Sequence, residues 1–230
     1  MPRRRIFISF IISFVLVNSC IGQVVILTEK SESSAIQPAA DLGSFLRFKT
    51  IPAEYEKEAL AALVHFPELR NVPVVFRVRK SFSTLKTRPS FISMFLPRGR
   101  RKYIITISSK TIPELEPISF KNLPEEARIG ILGHELCHVV DFSGKSACQS
   151  LRIAAGHLSR HFMDSLEFHT DELCVRHGLG KQLEAWSIFI RQTMHTTYWR
   201  GADFVKRGDT RYERYMNPAT IEKEMELKKK

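Results

Sequence analysis

Cysteine is scarce in this 230-residue chain, with four in all. Cys20 falls near an amino-terminal apolar run, which leaves Cys137, Cys148 and Cys174 beyond it. Three thiols can close at most one internal bridge, and their spacings match neither a zinc ribbon nor a CxxC pair, which excludes a disulfide-built scaffold. Long apolar runs are missing too. The run over residues 6–17 is shorter than the roughly 20 residues a membrane-spanning helix needs. No internal repeat is present. Acidic residues are in short supply, 24 against 35 Lys and Arg, giving a formal net charge of +11.

What is there suits a soluble globular domain: 43% hydrophobic and 26% charged residues, in a length that suits one core better than two. Arg3-Arg4-Arg5, the apolar run and Asn18-Ser19-Cys20-Ile21-Gly22 have the order of a secretory signal. Two processing routes stay open. Val17-Asn18-Ser19-Cys20 resembles a lipobox, in which Cys20 would carry lipid, whereas cleavage after Gly22 would free Gln23. The expected organisation is a signal segment over 1–22, a linker with a first strand or turn over 23–50, and a single domain over 51–230. The expected location is outside the cytoplasm: periplasmic, outer-envelope lipoprotein or secreted. Much of the positive excess lies in 77–102 and in the tail Lys228-Lys229-Lys230. For an exported chain it points to an anionic envelope surface or acidic substrate, with no nucleic acid as partner. Membrane association would run through a lipidated Cys20 or the basic surface.

Helical spacing of Ala59, Leu60, Leu63 and Val64 predicts a helix over 53–66. Strands are expected at 74–78, 91–96 and 103–108 from their β-branched and aromatic content. From Pro124 the pattern turns helical. One helix is expected from Pro124 to about residue 142, ended by Ser143-Gly144, with others near 147–162, 164–177 and 180–199. The class is α+β: a small mixed sheet followed by a helical half.

His134-Glu135-Leu136-Cys137-His138 falls within the first of these helices. Residues four apart share a helix face, so both imidazoles can meet one Zn²⁺. Glu135 lies about 100° round the helix, beside the metal, where a carboxylate can take a proton from a metal-activated water. Gly130 and Gly133, costly inside a helix, suggest a close-packed neighbour. A catalytic zinc needs a third protein ligand. Glu167 fits, with Asp171 four residues on and able to orient a ligand imidazole. His157 is the rival third ligand, ahead of His161, while His169 should point elsewhere. Asp141 sits a turn beyond His138 on the same face. His195 and Tyr198 could donate to an oxyanion, although Trp186, Phe189 and Trp199 nearby favour ordinary packing.

Together, His134-Glu135-Leu136-Cys137-His138 and Glu167-Phe168-His169-Thr170-Asp171 resemble the HExxH…ExxxD signature of gluzincin metallopeptidases. The resemblance implies a zincin-like fold with His134, His138 and Glu167 as zinc ligands, Glu135 as general base and Asp171 as the partner of His134. It also implies a peptide or protein substrate, with the strand at 103–108 as the edge that aligns it. A second reading is a non-catalytic, zinc-stabilised envelope binding protein, favoured if His157 closes the metal shell.

Overall fold

The computed structural model describes residues 45–207 and 212–228, together with Gly43. The signal expected over 1–22 and most of the linker lie outside the described residues. Among those described, no helix is long and apolar enough to cross a membrane.

The β-branched runs form the sheet. Strands β1 (Lys49–Thr50), β2 (Val74–Arg79), β3 (Leu85–Pro89) and β4 (Tyr103–Ser108) lie in the order β1-β2-β4-β3. β1, β2 and β4 are parallel; β3 runs antiparallel to β4, with Leu85 opposite Ile107 and Pro89 opposite Tyr103. Side chains alternate across each strand. Val74, Phe76, Tyr103, Ile105, Ile107 and Leu85 are buried in the core, and by the register Arg77, Thr106 and Lys86 form a row on the other face.

Two strand expectations need correction. Residues 91–96 do not form a strand: a 3-10 turn, Ile92–Phe95, stands there instead. Pro89 and Pro97 bracket it, and the buried Ser93 hydroxyl bonds to the carbonyls of Ser90 and Lys102, which folds the segment back on itself. The 103–108 strand is not an edge, because β2 and β3 flank it. The edge beside it is β3, a strand of two exposed cations and a proline that only its pairing reveals, and β1 is the edge on the far side. An edge strand buries one face and tolerates Pro at its end.

Helix α1 (Glu56–Leu63) precedes β2. Helix α2 (Glu125–Gly144) then runs through the core, its first turn carrying Glu125 and Glu126 at the positive end of the dipole. From Ala127 to Val139 all but Arg128 are buried, so α2 is enclosed on every side. Helix α3 (Ala147–Gly156) starts with a Ser146–Gln149 capping box. Helix α4 (Arg160–Cys174) is capped by Ser159 and passes through a wide turn, Val175–Leu179, into α5 (Gly180–Thr193). Gly178 takes φ 86° in that turn, a left-handed conformation open to glycine. The break between α3 and α4 comes earlier than expected, at Gly156, whose missing Cβ makes room for the Phe162 ring. Beyond 199, where no element is expected, are α6 (Ala202–Arg207) and α7 (Pro218–Leu227).

Gly130 and Gly133 are the surface on which α5 packs against α2. A Cβ on Gly130 would stand 2.1 Å from the Gln182 carbonyl oxygen, and one on Gly133 2.4 Å from the Leu179 side chain. The two helices therefore meet nearly backbone to backbone.

Candidate metal centre

His134 and His138 project from one side of α2, ring centroids 4.8 Å apart and nearly perpendicular. Glu167 reaches them from α4. Its Oε2 lies 3.1 Å from His134 Nε2 and 3.3 Å from His138 Nε2. One donor atom from each of the three residues lies within 4.8 Å of the others, and among the described residues this is the one such cluster able to hold a metal ion.

The surroundings fix which ring nitrogens face inward. Asp171, fully buried, accepts a hydrogen bond from His134 Nδ1 at 2.7 Å through Oδ1. Its other oxygen accepts from the Met216 backbone N–H at 2.7 Å. With Nδ1 so engaged, His134 presents Nε2 to the cluster. His138 is held similarly: Thr170 donates its hydroxyl to the Leu166 carbonyl, leaving a lone pair 3.4 Å from His138 Nδ1.

The electrostatics suit a cation. Burial by itself would lower the His134 imidazole, but Asp171 and Glu167 outweigh it and hold the ring well above its ordinary range. Burial would raise Glu167, yet the neighbouring His138 and His134 hold it well below the usual carboxylate range. One carboxylate and two imidazoles converging away from water, with Asp171 behind His134, form a donor set that a divalent ion satisfies.

Glu135 does not join the cluster. It is 6% exposed, and its Oε2 is buried with no hydrogen-bond partner. A buried, unpaired carboxylate oxygen is costly unless something arrives to bond it. It lines a cavity of about 360 Å³ that His134, His138 and Glu167 also line. Residues Ser83 to Thr87, around the start of β3, form another part of the lining, and Thr87 donates its hydroxyl to the Glu135 carbonyl.

The remaining candidates sit apart from the donors. His157 lines the cavity but falls outside the cluster, and its Nδ1 bonds the Ile153 carbonyl at the end of α3. This corrects its standing as the rival third ligand. His161 is exposed, His169 pairs with Glu172, and Asp141 pairs with Lys145. His195 and Tyr198 do not line the cavity; Trp186, Trp199 and Tyr215 do.

Tyr215 is the residue sequence reasoning missed. Its ring centroid is 5.6 Å from that of His134, and it meets Trp186 edge to face. Burial first, and then the nearby Glu167, push its phenol well above the ordinary tyrosine range, so it stays protonated and able to donate. Beside it, Arg214 donates to Asp164 and Asp203, and Arg200 also donates to Asp164. Arg214 Nη2 is buried without a partner. No local pattern marks Tyr215, because a polar loop reaches the site only through the tertiary fold.

Comparison with protein-family models, with curated proteins and with solved structures gives no match.

Proposed function

We propose that this chain is a zinc-dependent metallohydrolase that cleaves peptide bonds, with a zincin-like fold and a site of gluzincin type. The observation that carries the reading is the division of labour among four buried side chains. His134, His138 and Glu167 converge, while Glu135 stands beside them on the same cavity with a free carboxylate oxygen. A purely structural ion has no use for that unpaired base.

His134, His138 and Glu167 would hold the metal, and Asp171 orients His134 through Nδ1. When bound, zinc supplies Lewis acidity, polarising a scissile carbonyl and acidifying a water. Glu135 accepts the proton from the attacking water at its unpaired oxygen and returns it to the departing amine. The edge strand β3 supports a peptide as substrate. One of its sides pairs with β4, and its first residues line the cavity, where an extended segment can add along the free side.

Export belongs to the same proposal. Mass spectrometry of the mature amino terminus should find a lipidated Cys20 or a free Gln23, and an intact Met1 would sink it.

Glu135→Gln tests the chemistry. Wild-type protein should carry about one zinc per chain by elemental analysis and cleave members of a broad peptide library. The variant should keep its zinc and its melting temperature while losing roughly 10²–10⁴-fold in rate. Wild-type protein that holds zinc and cleaves nothing would instead make the ion a structural brace in an envelope binding protein. Zinc lost on replacing Glu135 would overturn the assignment of roles.

A further inference from the structure

Between residues 70 and 113 the chain has eleven Lys and Arg and no Asp or Glu. This stretch, which contains β2, β3 and β4, therefore carries the whole formal net charge of +11 and leaves the rest of the chain neutral. Lys86, Arg88, Arg98, Arg100 and Lys102 are all exposed. Burial, then repulsion from Arg88 and Arg79, lower the Arg77 guanidinium, as like charges crowded on one sheet face should.

The turn between β3 and β4 adds a second observation. Phe91, Ile92, Phe95 and Leu96 are 67%, 84%, 71% and 44% exposed. Four large apolar side chains held out to solvent within six residues mark an interaction site. The turn is also built to hold them there. Buried Arg101 donates from Nε to the Leu96 carbonyl and from Nη1 to the Lys145 carbonyl, and Phe91 meets Phe95 edge to face.

We infer that this turn and the basic residues around it dock on an anionic lipid bilayer, with Phe91, Ile92, Phe95 and Leu96 entering the interface and the flanking cations meeting lipid phosphates. A bilayer offers apolar chains and anionic headgroups in that depth order. Nucleic acid matches the charge and the Phe91 and Phe95 rings, but it has no use for the exposed Ile92 and Leu96, whereas a bilayer takes up all four. An apolar depression lined by Phe91 and Met94 shares Thr87, Phe142 and His157 with the metal-site cavity. Docking therefore places the cleft beside the membrane surface.

The test is co-sedimentation of the full chain with phosphatidylcholine vesicles, with and without phosphatidylglycerol. Both vesicle types would accept an amino-terminal anchor, so the preference for anionic lipid is the readout. Wild type should show that preference. Arg98→Glu/Arg100→Glu/Lys102→Glu should weaken binding to the anionic vesicles at least about a hundredfold, near fivefold per charge. Phe91→Ser/Ile92→Ser/Phe95→Ser should weaken it at least about tenfold. Ile92→Trp should shift its fluorescence to the blue when those vesicles are added. All these positions are exposed, so folding is not at stake. Equal binding by wild type and the serine variant would overturn the proposal, and so would tight oligonucleotide binding indifferent to the serine changes. Zinc removal should leave the vesicle result unchanged, which separates this inference from the hydrolase reading.

Discussion

Asp171 is the side chain on which the most geometry depends. One oxygen fixes His134 and the other holds the Met216 backbone. Replacing it by Ala frees the imidazole to rotate and strands a buried N–H, which itself costs about 1–3 kcal/mol. Zinc affinity of Asp171→Ala, measured by competition with a chromophoric chelator, should fall roughly 10–100-fold. An unchanged affinity would mean that helix packing alone positions His134. At this scale the letters carried a good deal. The i,i+4 spacing of His134 and His138 and that of Glu167 and Asp171 are local, and the fold brings the two pairs together. Tyr215 and Arg214 were invisible because nothing in their neighbourhood repeats or alternates; their position is a property of the tertiary fold.

The close approach of α2 and α5 makes an element-scale test. Alanine is a better helix former than glycine by about 1 kcal/mol, so Gly130→Ala would stabilise an isolated helix. Here the added methyl meets a backbone carbonyl, which cannot rotate away. Overpacking of this kind costs about 1–3 kcal/mol, so the variant should melt several degrees lower, at about 2–4 °C per kcal/mol for a chain of this size. A rise in melting temperature would show that α5 yields easily. Gly130 and Gly133 signalled this contact from the sequence because glycine in a helix interior needs a reason. Strand β3 gave no such signal. Lys86 and Arg88 point outward, and its apolar face is only Leu85 with the half-buried Thr87 and Pro89. The 91–96 segment misled for the opposite reason: its composition is that of a strand, but its apolar side chains face water.

For the molecule as a whole, the proposed zinc should matter to stability as well as to the proposed chemistry. The centre joins α2 to α4, and Asp171 extends the connection to the segment before α7. An ion that binds only the folded chain stabilises it by about 2.7 kcal/mol at a hundred times its dissociation constant. Chelation should thus lower the melting temperature by roughly 5–11 °C at the rate given above, and zinc should restore it. No shift on chelation of zinc-loaded protein would mean that the cluster contributes nothing to holding the helices together.

The Asp171–Met216 hydrogen bond also has a consequence in time. Met216 follows His134 by 82 residues, and a chain is made amino terminus first at about 5–20 residues per second. His134 therefore exists for roughly 4–16 s before the residue that completes its carboxylate anchor has been added. A nascent chain would carry the helix of His134 and His138 long before Asp171 could be held at both oxygens, so the surroundings of His134 are complete only near the end of synthesis.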